Sequence, residues 1–248
     1  MSGHSKWAQI KRKKAVTDRN RGRLFTRLIR EIQIAAREGG GDPDGNPRLR
    51  FAIDQAKKNS MPADNIKRAV LRGSGGEGAE ALVEGSYEIY GPGGVAIIVE
   101  TATDNKNRTV GEIRHVLGKY GGNLGDSGSV SWMFTKVGTI TIARTATHED
   151  KLLELALDAG ADDLRTDDPE LYEVRTSPEE FGRVRDALVR AAVPIEEAKV
   201  SMIAGNLVPV TGNDAIKLMK LLETLEENDD VQNVFSNADI DEAAIPVE

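Results

Sequence analysis

The chain has 248 residues, no cysteine, 39% hydrophobic residues and a formal net charge of −7. Such a length suits two or three small domains better than one core. The lack of Cys excludes disulfides, thiolate metal sites and Cys nucleophiles, and no run of about 18 apolar residues is present to span a membrane.

The average charge hides a division along the chain. Residues 1–72 carry eighteen Lys or Arg against seven Asp or Glu, a local balance of +11; residues 73–248 carry fifteen against thirty-three, or −18. Phosphate affinity follows the local patch and not the average, so the amino-terminal part is the place to look for a nucleic-acid contact. No apolar segment follows the basic stretch from Lys6 to Lys14, so a secretory signal is not expected and a cytoplasmic protein is.

In chain order, the first feature is a basic arm: Lys6, Lys11, Arg12, Lys13 and Lys14, continuing through Arg19, Arg21 and Arg23. Charges at this density repel one another until a polyanion neutralises them. Trp7 lies within the arm and either stacks on an unpaired base or staples the arm to the domain behind it. From Arg21 to Glu38, Leu24, Phe25, Leu28, Ile29, Ile32, Ala35 and Ala36 recur at helical spacing over an arc of roughly 140°. Arg23, Arg27, Arg30 and Arg37 take the other side, with Ile34 the one misfit among them, and Gly39-Gly40-Gly41 ends the helix.

A second helix is predicted from an N-cap at Asn46 with Pro47 at its first position, and a third from Pro62 to Gly73. Three short amphipathic helices bury their stripes against one another, which predicts a small bundle. Arg48, Arg50, Lys57, Lys58, Lys67, Arg68 and Arg72 add to its positive surface. The turn Asn59–Pro62 faintly resembles a helix-turn-helix, but no heptad or other pairing element sets a half-site spacing.

Ser74–Gly78 marks the boundary where the charge reverses. Beyond it the pattern predicts a hairpin around Gly91–Gly94, a helix from about Thr109 to Tyr120, and a strand at Val130–Phe134. Residues 137–203 then follow the order βαββαβ of a ferredoxin-like unit. A final helix and strand would complete the hairpin unit that precedes it. The expected architecture is therefore α+β: a basic three-helix domain at 1–76, a discontinuous α/β domain at 77–136 plus 204–248, and an inserted ferredoxin-like domain at 137–203, both sheets antiparallel.

Asp104–Thr109, including Asn105, Lys106 and Arg108, precedes a helix N-terminus, where free N–H groups favour an anion. Gly121–Ser129 is glycine-rich enough for close backbone approach. Capping and turn formation are the ordinary alternative for both loops. His4, His115 and His148 lack partners at metal or triad spacing, so no catalytic residue, metal or cofactor is assigned.

Several long motifs carry a resemblance: GHSKW at 3–7, RGRLFTRLIREI at 21–32, GGGDPDGNPRLR at 39–50, MPADNIKRA at 61–69, YGPGGVA at 90–96, TDNKNRT at 103–109, GGNLGDSGSVSWMF at 121–134 and DVQNVFSNAD at 230–239. Together they resemble the YebC family, which includes the mitochondrial translational activator of cytochrome c oxidase. The resemblance implies a three-domain, non-enzymatic protein whose relatives act either as DNA-binding transcriptional regulators or as translation factors that relieve ribosome stalling, notably at proline runs. Three readings stand: a DNA-binding transcriptional regulator of the YebC type, a ribosome-associated factor contacting ribosomal RNA, and a protein-interaction adaptor. The expected partner is nucleic acid, with no membrane and no small-molecule substrate, and the expected state is a monomer.

Overall fold

The computed structural model describes residues 18–76 and 82–240. Helix α1 (Asp18–Gly39) lies against α2 (Pro47–Lys58) and α3 (Ala63–Gly73). The predicted stripe forms their core: Ile32, Ala35 and Ala36 pack on Leu49, Ala52, Ala56, Ile66 and Ala69, with Phe25, Leu28 and Ile29 at the margin. Asn46 ties the corner between α1 and α2. Its Oδ1 accepts from Leu49 N at 3.1 Å, and its Nδ2 donates to the carbonyls of Ala35 and Gly40. Gly73 ends α3 where a Cβ would overlap the Gln33 carbonyl oxygen, so glycine is what lets α3 approach α1 this closely.

The following α/β part has the sheet order β3-β1-β2-β9, all neighbours antiparallel. Its strands are β1 (Val83–Tyr90), β2 (Ala96–Thr103), β3 (Asn123–Leu124) and β9 (Val231–Ser236). Helices α4 (Lys106–Tyr120) and α7 (Gly212–Glu226) share one core with the sheet, joining Ile113, Leu117, Leu218, Leu221, Leu222 and Leu225 to Ile89, Ile97, Val99 and Val234. A short parallel pair, β8 (Val208–Val210) with β10 (Ala238–Ile240), was not legible from the pattern.

Residues Met133–Gly205 form a separate compact unit. It runs β4 (Phe134–Ala143), α5 (Glu149–Asp158), β5 (Asp163–Arg165), β6 (Leu171–Thr176), α6 (Phe181–Arg190) and β7 (Glu197–Ala204). The sheet order β5-β6-β4-β7, antiparallel throughout, is that of the ferredoxin-like unit. Ile140, Ile142 and Val174 supply its buried strand residues, and Leu152, Val184 and Leu188 the helix side.

Two local expectations need correction. The α4 helix begins at Lys106, three residues before the expected Thr109, because the Asn105 side chain caps it by accepting from Arg108 N at 3.1 Å. Val130–Phe134 is not a strand: Ser131–Met133 is a short 3₁₀ turn and β4 starts only at Phe134. The Glu88 carboxylate takes the N–H groups of Gly128, Val130 and Ser131 at 2.7, 2.6 and 2.8 Å, so the segment cannot donate to a ladder. No helix among the described residues is long and apolar enough to cross a membrane.

Candidate nucleic-acid interface

Lys6, Trp7, Lys11, Arg12, Lys13 and Lys14 lie outside the described residues. Arg19 and Arg21 fall on the backbone of α1, with their side chains outside the described set. The remaining expected residues divide into two groups according to what they touch.

The first group faces protein. Arg23 Nη1 pairs with Glu227 Oε1 at 2.7 Å. Arg27 is half-buried and donates to the Glu226 carbonyl, one of the carbonyls that the end of α7 leaves without a helical partner. Burial lowers the Arg27 pKa, partly offset by Glu226 and Asp229. Arg30 Nη1 donates to the carbonyls of Ala102 and Asp229 at 2.6 and 2.7 Å, and to Asp230 Oδ1 at 2.7 Å. Arg37 donates to the Leu82 carbonyl. These bonds put Arg23, Arg27, Arg30 and Arg37 on the face by which α1 docks on the α/β part. Ile34, the apparent misfit, is buried there against Leu82 and Ala102.

Arg48 belongs to the same group. It pairs with Glu31, Glu38 and Glu84 at 2.8, 2.7 and 2.9 Å. Burial opposes its charge, but the bonds to Glu31 and Glu84 outweigh that and hold the guanidinium protonated. Three carboxylates satisfy this fork.

Asp230 is the centre of the arrangement. Its side chain is 3% exposed and accepts from Arg30, from Arg108 Nη2 at 2.9 Å, from Thr103 Oγ1 at 3.0 Å and from Thr109 Oγ1 at 2.7 Å. Burial alone would raise its pKa; the bonds from Thr109, Arg108, Arg30 and Thr103 win and bring it down to about 2. Within the first turn of α4, Asp230 thus accepts from the side chains of Arg108 and Thr109. Arg108 is held between Asp230 and Asp104, whose carboxylates raise its pKa, and Asn105 is used as the cap. No spacing in the sequence marks Asp230 as the hub of these bonds. Its only sequence signal was its place in the motif DVQNVFSNAD.

The second group faces solvent. Lys57 and Lys58 in the last turn of α2, Lys67, Arg68 and Arg72 on α3, and Lys106 at the start of α4 are all exposed; Arg50 is half-buried. Arg68 keeps a local bond to Asn65 Oδ1. The loops at 104–109 and 121–131 do not come together. They sit at opposite ends of the 15-residue α4, about 22 Å apart along its axis. A cleft of about 570 Å³ beside α4 is lined by Arg23, Arg108, His115, Glu112, Glu227 and Asn228, in which the cations already have carboxylate partners.

Sequence reading also missed Trp132. A strand at Val130–Phe134 would give its ring no special place, and the 3₁₀ turn at Ser131–Met133 does. In the structure it is 71% exposed, and its Nε1 donates to the Ser129 carbonyl at 3.1 Å. Tyr90 Oη donates to the same carbonyl at 3.1 Å, and Tyr90 is 40% exposed.

A three-helix basic module docked by its own arginines on an antiparallel α/β part, with a ferredoxin-like unit between β3 and β8, defines the class of this protein. The model of the TACO1/YebC protein N-terminal domain matches residues 5–76, and that of the TACO1/YebC second and third domain matches residues 82–238. The chain belongs to the TACO1/YebC family. It is 55% identical over 245 residues to a protein of Chloroherpeton thalassium named "Probable transcriptional regulatory protein", covering 99% of this chain and 98% of that one. It is equally similar, 55% over 247 residues, to "Probable transcriptional regulatory protein CT1665" of Chlorobaculum tepidum, covering 100% and 98%. The crystal structure of a conserved hypothetical protein, Aq1575 from Aquifex aeolicus, superposes with a TM-score of 0.83 at 46% identity, covering 91% of this chain and 93% of that one.

Proposed function

We propose that this protein is a non-enzymatic, cytoplasmic regulator that binds nucleic acid, a transcriptional regulator of the kind its relatives' names describe. The observation that carries this reading is the division of the cations. Those on α1 are engaged in docking, whereas Lys57, Lys67 and Arg72 are exposed to solvent on α2 and α3. They lie on the same basic module as the arm, so counterion release on phosphate binding favours that surface. The acidic remainder of the chain discourages non-specific wrapping and orients the basic module.

A second reading, contact with ribosomal RNA, is favoured by the exposed Trp132 ring, since unpaired bases are commoner in RNA than in duplex DNA. Crosslinking in cells followed by sequencing of recovered RNA and DNA tests both. Enrichment of discrete DNA segments supports the transcriptional reading, and enrichment of ribosomal RNA supports the ribosomal one. Recovery of protein partners alone, with no nucleic acid above background, would overturn both and leave the adaptor reading.

A further inference from the structure

We infer that Trp132 and Tyr90 form a stacking platform for unpaired nucleobases, a second nucleic-acid subsite distinct from the basic helices. The inference deepens the proposed nucleic-acid binding and rests on it. Both rings are anchored at their polar ends, Trp132 Nε1 and Tyr90 Oη donating to the single Ser129 carbonyl at 3.1 Å each. That leaves ring faces in water with no hydrogen-bonding requirement of their own.

The supporting loop is braced. Glu88 accepts three backbone N–H groups between Gly128 and Ser131, and Gly125 N donates to the Glu88 carbonyl at 2.7 Å. A Cβ at Gly125 would crowd Ser129 Oγ, the Glu88 carbonyl and the edge of the Tyr90 ring, so this glycine lets the loop close against Tyr90. The backbone leading to Trp132 is thereby braced before any ligand arrives, which lowers the cost of ordering it.

The surroundings select the ligand. The loop that carries Trp132 exposes Asn123, Asp126, Ser127, Gly128 and Ser131, all polar or small. An apolar protein anchor would need an apolar rim to exclude water. Two flat rings within a polar loop fit a base stacked on its face and bonded at its edge.

The test is fluorescence anisotropy of the full-length chain with labelled oligouridylate, oligothymidylate and a duplex of equal length. Trp132→Ala should weaken binding of single strands by about 5- to 150-fold, by the same factor at low and high salt, and should change duplex binding less than twofold. Trp132→Phe should restore part of the loss, and Tyr90→Ala should lose affinity in the same direction. Preference for oligouridylate over oligothymidylate assigns the subsite to RNA; the reverse assigns it to single-stranded DNA. Unchanged single-strand affinity in folded Trp132→Ala and Tyr90→Ala, with duplex binding intact, would overturn the platform and leave the proposed function standing. Failure of the unaltered chain to bind any of the three probes would overturn both.

Discussion

Arg30 and Asp230 stand 200 residues apart in the chain, and their side chains meet at 2.7 Å, the guanidinium 16% and the carboxylate 3% exposed. The pair joins α1 of the basic module to the start of β9. Removing the carboxylate leaves Arg30 and Arg108 facing a site built to neutralise them. Asp230→Ala should therefore destabilise the fold by about 3 kcal/mol in chemical denaturation. A loss under 1 kcal/mol would show that the pair contributes little to docking.

Asp230 also sets an acid limit. Its pKa in the fold is about 2, against 3.8 for the ordinary group. A depressed carboxylate stabilises the fold above its unfolded pKa, and that contribution disappears as pH falls from about 4 to about 2. With screening allowed for, about 1–2 kcal/mol should be lost over this window. The leg should be missing in Asp230→Asn, compared by denaturant titration at stepped pH.

Glu88 should govern the loop beneath Trp132. Burial raises its pKa, but the N–H groups of Val130, Gly128 and Ser131 outweigh this and lower it, so its contribution is present at neutral pH and fades on acidification. Glu88→Ala should leave three donors to water, cost about 1–2 kcal/mol, and speed amide exchange at Gly128, Val130 and Ser131. Unaltered exchange at these three amides would contradict the bracing.

Packing of α3 on α1 makes a contrast between two glycines. Gly73→Ala forces a methyl into the Gln33 carbonyl and should cost about 1–3 kcal/mol. Gly22→Ala meets nothing within 4 Å and should be neutral or slightly stabilising, since Ala is the better helix former. Thermal midpoints of the two variants, measured side by side, check this.

The stripe from Phe25 to Ala36, the Asn46 cap and the ferredoxin-like order were legible in the sequence because each is a local pattern with a fixed period or residue preference. The docking face was not, since an Arg row on a helix reads the same whether it meets phosphate, water or a carbonyl. Ile34 was the clue: an isoleucine among arginines marks a face that is buried after all. Val130–Phe134 misled for a related reason, because the acceptor for its N–H groups, Glu88, is some forty residues away. Asp230 satisfies four partners from three distant segments, which no spacing rule reveals.

The salt dependence of nucleic-acid affinity tests the division of the cations most directly. Binding to a duplex and to a single strand would be measured from 50 to 200 mM salt for the unaltered chain, for Lys57→Gln/Lys58→Gln/Lys67→Gln/Arg68→Gln, and for Arg30→Gln. The fourfold variant should lower the slope of log affinity against log salt by about 3 to 4 on the duplex, while Arg30→Gln should lose stability and keep its slope. An unchanged slope in the fourfold variant, or a reduced slope in Arg30→Gln, would contradict the assignment of the outward lysines to phosphate and the inward arginines to docking.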